Sequence, residues 1–197
     1  MTLPLRERRR VETAREIQRA TLRLAAQRGL EHVTTEAIAE AAGISPRTFF
    51  NYYTNKEAAS VGQPPPFSEI SREELRAGSG PLTKDLKRFL DRHLEDLSDD
   101  EDIIRGLGEI VHQSGKVRWL LDQHLRSLRE DLADCLAARL PDAPPALRLE
   151  LADWALQGIG TAIELWLGRD GQPLRGAMDE VWAAKIAAAR IIALPAP

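Results

Sequence analysis

Apolar residues recur every three or four positions through almost the whole chain, and no segment shows the sustained alternation of a strand. That period confines the fold to packed helices. Glycine, proline and small polar residues cut it into segments. Val11, Ala14, Ile17, Thr21 and Leu24 line a first helix over about 7–28, with Gly29 after it as the C-terminal stop. Thr34 caps a short helix over 35–42, and Gly43 ends it. Ser45 caps the next, with Pro46 at the first helical position, where a missing N–H is no loss. A fourth helix opens at Asn55 and fades at Gly62, and Pro64 to Pro66 impose an extended connector. A short helix over 71–76 and a loop from Ala77 to Pro81 follow. Five longer periodic segments complete the chain, at about 82–97, 100–113, 116–140, 145–167 and 174–193. The expected fold is all-α with about nine helices.

Charge is distributed unevenly. The formal sum of −3 says nothing of a polyanionic partner. Residues 1–57, however, carry 10 Lys/Arg against 7 Asp/Glu, while 58–197 carry 17 against 23. Residues 1–30 alone hold 8 arginines against 3 glutamates. A basic end on an acidic body suits a chain whose N-terminus meets nucleic acid, and it also suits a solvated helix face. The single cysteine, Cys135, excludes an intrachain disulfide framework and a Cys-rich zinc site; its place on an apolar stripe suits a buried, inert thiol. No run reaches the roughly 18 apolar residues of a membrane span. Arg8-Arg9-Arg10 is followed by a polar stretch rather than a signal core, so a cytoplasmic protein is expected.

Two short helices joined by a glycine turn, behind an arginine-rich first helix, form a helix-turn-helix arrangement. A major groove about 12 Å wide admits one helix, which a second must hold in place. On the second helix Arg47, Thr48, Asn51, Tyr52 and Tyr53 offer donors and rings, while Phe49, and with it Phe50, would pack inward. Tyr53 reads equally as core. Arg8, Arg9 and Arg10 suit either a backbone or minor-groove arm or a solvated tail. The head is expected over 1–61 and the body, a helical bundle, over 62–197.

The run Gly29…Thr34…Ile38-Ala39-Glu40-Ala41-Ala42-Gly43-Ile44-Ser45-Pro46-Arg47-Thr48-Phe49-Phe50-Asn51-Tyr52-Tyr53-Thr54-Asn55-Lys56-Glu57 resembles the N-terminal signature of the TetR family of transcriptional regulators. The resemblance implies a three-helix DNA-binding head, a ligand-binding body and a homodimer that a small molecule releases from its operator. It implies that Thr34 contacts phosphate while opening the second helix. It places Ser45, Pro46, Arg47, Thr48, Asn51 and Tyr52 on the recognition helix and Lys56 on phosphate. Pro46 stands where the family often has glycine or a basic residue, and Thr54 where it often has proline. Base reading therefore falls to Arg47, Thr48 and Asn51. Arg47 suits guanine or phosphate, Asn51 suits adenine, and Tyr52 suits phosphate through its hydroxyl.

The last two helices have little polar face, and a helix apolar all round must be buried on two sides. Leu151, Ala155, Gly158, Ile159 and Ala162 on one, with Met178, Val181 and Trp182 on the other, are the expected halves of a four-helix dimer interface. Polar or aromatic groups on otherwise apolar faces are the candidates for a ligand pocket: His93, His112, Trp119, Trp154, Gln157 and Trp166. Each also reads as ordinary core, interface or surface. No nucleophile–base pairing, Gly-rich phosphate loop or metal motif is present in the sequence, so neither an enzyme nor a cofactor is expected. The expected function is a dimeric repressor on double-stranded operator DNA, released by a small molecule. The alternative is a DNA-binding or interaction protein with no inducer pocket.

Overall fold

The computed structural model describes residues 4–169 and 171–193. Among these residues there are ten α-helices and no strand. The helices are α1 (Leu5–Arg28), α2 (Thr35–Ala41), α3 (Pro46–Tyr52), α4 (Lys56–Val61), α5 (Glu69–Ala77), α6 (Leu82–Asp96), α7 (Glu101–Val111), α8 (Gly115–Arg139), α9 (Pro145–Leu167) and α10 (Leu174–Ala193). The expected boundaries hold to within a few residues because local chemistry sets them. Thr34, Ser45, Asn55 and Ser68 each accept a backbone N–H three residues on, satisfying a donor the helix start leaves over. Asp170, in the turn expected before the last helix, lies outside the described residues. No described helix is long and apolar enough to cross a membrane.

Contacts group the chain into Met1–Pro64 with Asp100–Leu125, and Pro65–Asp99 with Arg126–Pro197. This division does not follow the 61/62 boundary read from the sequence, because α7 and the first turns of α8 group with the head. The reason lies in α1, which is buried on two faces. One face sends Ala14, Ile17 and Ala20 into a core with Val33, Ile38, Ala39, Phe49, Tyr53 and Ala59. The other sends Leu22 and Ala25 against Ile103, Ile110 and Val117. Gly106 allows the close approach of α7, since a Cβ there would lie 3.1 Å from that of Leu22. Arg15 and Arg19 reach Asp100 at 2.8 and 3.2 Å, and Arg19 also reaches Asp102 at 2.7 Å. The hydrogen bond from Arg19 holds the Asp102 carboxyl below its ordinary range. That link is therefore present at neutral pH and lost as pH falls through the depressed value; Asp102 is exposed, so it is worth about 0.5 kcal/mol.

The buried Gln18 amide donates to the carbonyls of Ser60 and Val61 at 3.0 and 2.8 Å, satisfying the end of α4. The chain then turns at Gly62 with φ +70°, beside that same amide.

In the second unit α6 packs on α5, α9 and α10, and α9 packs on α10. Phe67 lies 4.5 Å from Phe89 and 4.7 Å from His93 between ring centroids. Arg139 fastens the loop before α6, donating to the carbonyls of Gly78 and Gly80 and to Asp85. Cys135 is fully buried, and burial pushes its thiol pKa up, in keeping with an inert role.

The expected dimer residues need correction. Ala155, Gly158, Ile159, Ala162, Met178, Val181 and Trp182 are buried within their own chain, and Leu151 is half-buried. A Cβ on Gly158 would sit 3.5 Å from Met178, so this glycine serves the packing of α9 on α10. Periodicity cannot choose which side of an all-apolar helix turns inward, and these residues took the inner side. Apolar residues left exposed include Leu147 on α9 and Ile191 and Ile192 on α10.

Both Gly43 and Gly62 have positive φ, but only Gly62 lacks room for a side chain, because a Cβ there would overlap the Gln18 amide. Gly62→Ala should therefore lower the unfolding free energy by about 1–3 kcal/mol more than the backbone strain alone. Gly43→Ala, opening into free space, should cost only that strain, about 1 kcal/mol. Urea denaturation of the two variants checks this; equal losses would show that the Gln18 contact does not constrain the turn.

Candidate nucleic-acid interface

The turn between α2 and α3 closes through backbone bonds. Gly43 N–H donates to Glu40 at 3.0 Å and Ile44 N–H to Ala39 at 2.9 Å, with Gly43 at φ +68°. Ile44 then packs against the head core. Ser45 accepts the Thr48 N–H at 3.1 Å, and the two hydroxyls lie 2.8 Å apart. Phe49 is fully buried. Tyr53 is buried too, and its hydroxyl donates to the Ala14 carbonyl at 3.1 Å, with burial pushing its pKa up to about 12. Of the two readings of Tyr53, core is the one observed.

With Phe49 turned inward, a helical period puts Arg47 and Asn51 on the opposite face and Phe50 on its flank; all three are exposed, as is Pro46 in the first turn. Ser45 is exposed beside them, while Thr48 and Tyr52 are half-buried on the flank. Thr34 is exposed and its oxygen accepts the Ala37 N–H at 3.2 Å. The geometry thus offers a short rigid helix with one cation, one amide and one ring directed outward.

The sequence profile of bacterial regulatory proteins of the tetR family matches residues 17–58. The HTH-type transcriptional regulator TcmR of Streptomyces glaucescens is 37% identical over 84 residues, which cover 40% of this chain and 36% of that protein. Residues 17–58 are thus similar to the N-terminal head of that family, and the chain spans about a third of the curated relative it matches. Beyond the head, the likeness is one of fold. A TetR-family protein from Syntrophomonas wolfei superposes with a TM-score of 0.65 at 14% identity, covering 91% of this chain and 95% of the other. A tetR-family transcriptional regulator from Streptomyces coelicolor gives 0.50 at 21% identity, covering 92% and 83%.

Three positions of this TetR-type head differ from expectation. Phe50, grouped with Phe49 as core, is 55% exposed and meets the Phe49 ring edge-on at 5.3 Å. Adjacent residues of a helix are about 100° apart, so both rings cannot face inward; counting from Phe49 to Tyr53 as the inner pair would have found this. Lys56, expected on phosphate, instead donates to the carbonyls of Glu31 at 2.9 Å and Val33 at 3.0 Å, fastening the turn before α2. The Thr48 hydroxyl is engaged by Ser45.

The six residues expected around a ligand are divided between the two units. His112 and Trp119 belong to the first unit; His93, Trp154, Gln157 and Trp166 belong to the second. His112 is exposed and meets Arg118 at 2.7 Å, Trp119 is 58% exposed, and Gln157 is exposed. His93 and Trp166 are buried in the core of their unit. Trp154 stands edge-on to Trp182 at 5.2 Å with Lys185 4.9 Å over its ring. None of the six lines the open groove of about 490 Å³ between α6 and α10, which Lys84, Lys87, Arg92, Arg175, Trp182 and Ile186 help to form. Among the described residues no group of His, Cys, Asp and Glu could hold a metal ion.

Lys56→Met keeps the stem and removes both charge-assisted bonds. It should lower stability by about 1.5–3 kcal/mol in urea denaturation. Unaltered stability would mean that the ammonium is spent on something other than the Glu31 and Val33 carbonyls.

Proposed function

We propose that the chain is a dimeric, sequence-specific DNA-binding transcriptional regulator of the cytoplasm, a repressor that a small molecule releases from its operator. The observation that carries the DNA-binding part is the outward row Arg47, Phe50 and Asn51 on a helix held from behind by Phe49 and Tyr53. In this reading α3 enters the major groove. Arg47 donates to guanine or to phosphate, and Asn51 pairs with adenine in two-point fashion. Phe50 offers an apolar contact of the kind a thymine methyl accepts. Thr34, Ser45 and the Tyr52 hydroxyl meet phosphates, which set position rather than sequence. Pro46 shapes the helix start and Thr48 supports Ser45. Lys56 acts from behind, by holding α2 in place.

The homodimer reading is supported by apolar residues that α9 and α10 leave open, Leu147, Ile191 and Ile192. A second copy is the partner of this face, and it calls on these residues rather than on the intrachain packing of Met178 and Trp182. Release by a small molecule rests on the family alone. The second reading, a regulator without an inducer, is favoured by one observation: within the second unit His93 and Trp166 are buried in core and Trp154 is packed by Trp182 and Lys185.

Selection of DNA from a random pool by the purified chain tests the whole proposal. A selected site with two inverted half-sites supports both DNA reading and the dimer; recovery of no consensus sinks sequence-specific binding. On the selected site Arg47→Ala should weaken binding by about 1–3 kcal/mol in a gel-shift titration at fixed salt. Sedimentation at micromolar protein should give twice the 21.9 kDa of one chain; a value of one chain refutes the dimer.

A further inference from the structure

The first residue of α1 buried in the core is Ala14, so the helix runs from Leu5 to Thr13 without a buried side chain. Arg6, Arg8, Arg9 and Arg10 lie in this overhang, all exposed, and none has an ion-pair partner among the described residues. Farther along the same helix, Arg15 and Arg19 are both paired. Helix energetics do not account for the cluster. Cations at a helix N-terminus oppose its dipole, and Arg6 and Arg10 form a like-charge pair one turn apart.

Register separates the four. Stepping back by three and four from Ile17 leads through Ala14 and Thr13 to Arg10 and Arg9, and then to Arg6. These three therefore continue the face of α1 that carries the head core and α3. Arg8 instead continues the row of Arg15 and Arg19, which faces α7. A hydrogen bond ties this face of α1 to α3: the Ala14 carbonyl accepts from Tyr53, the residue that caps the end of α3. At 1.5 Å per residue, Arg10 to Arg6 lie about 6–12 Å along the axis beyond that point. A groove about 12 Å wide has a phosphate strand on either side of the helix it admits.

We infer that Arg6, Arg9 and Arg10 form a helical phosphate-binding row, seated on the backbone of duplex DNA alongside the groove that α3 enters. It is a rigid extension of α1 rather than an extended arm in the minor groove. It rests on the DNA-binding reading of α3 and adds attraction without sequence preference. Cations on phosphate release condensed counterions, so affinity through this row falls with salt.

The test compares the full chain with Arg6→Gln/Arg9→Gln/Arg10→Gln and with Arg8→Gln. Each is titrated by fluorescence anisotropy against a duplex carrying the selected site with long flanks, and against a random-sequence duplex, over a range of salt. The triple variant should lower the slope of log K against log salt by about 2.7 for each bound protomer, and to the same extent on both duplexes. Its deficit against the wild type should shrink roughly 40-fold for each protomer between about 50 and 200 mM salt. Arg8→Gln should match the wild type, and all three proteins should share one thermal midpoint because the overhang lies outside the core. A triple variant with the wild-type slope overturns the row and leaves the DNA-binding reading intact. So does an Arg8→Gln slope reduced by a third as much as that of the triple variant, since diffuse charge would then suffice. A wild type that binds neither duplex overturns both.

Discussion

Everything in the first unit depends on the double burial of α1. Its inner face carries Ala14, Ile17 and Ala20 into the head core, and its other side brings Leu22 and Ala25 against α7. The helix-turn-helix is too small to hold itself: α2 and α3 span seven residues each, below the length at which isolated helices persist in water. They hold their angle because Phe49 and Tyr53 close on α1, and because the hydroxyl of Tyr53 finds an acceptor there instead of being left unpaired. The same logic explains Gln18. A buried amide is costly without partners, and it finds two in the carbonyls that end α4. Polar residues in this core fix directions that apolar packing alone would leave loose.

How much of this was legible in the sequence depended on how local the determining physics was. Helix boundaries were readable because a cap involves residues three apart, as at Thr34, Ser45 and Asn55. The recognition helix was readable for the same reason, strengthened by the resemblance of Gly29 to Glu57 to a known head. Lys56 was not, because its partners are carbonyls of Glu31 and Val33, and a carbonyl leaves no trace in residue identity. The grouping of α7 with the head was also hidden, since Gly106 and Asp100 acquire their meaning only when Leu22 and Arg15 stand beside them.

The body shows the limit most clearly. In α9 apolar residues cover most of the circumference, so the sequence stated that two sides are buried but not which. The structure resolves the choice through size: Gly158 is where α10 comes close, Ala155 and Ala162 are buried on the inner side, and larger residues such as Leu156 and Ile163 are left half-buried. Small residues mark the closest approach between helices of one chain before they mark a meeting with another. Trp154, whose indole looked like a pocket wall, is occupied by Trp182 and Lys185.

The near-neutral total charge conceals a division of labour. As the proposed recognition helix, α3 carries a single cation, Arg47, and would make few contacts with phosphate of its own. Sequence reading needs donors at fixed angles, which a short rigid helix supplies; attraction needs only positive charge at the right distance. Crowding cations onto α3 would strengthen binding to every sequence alike and dilute the preference proposed for Arg47 and Asn51. In the proposed reading the chain instead keeps its cations on α1, where they would raise affinity without competing for base edges. Acidic residues predominate after residue 57, and many arginines there are paired, as Arg72 with Asp131 and Arg139 with Asp85.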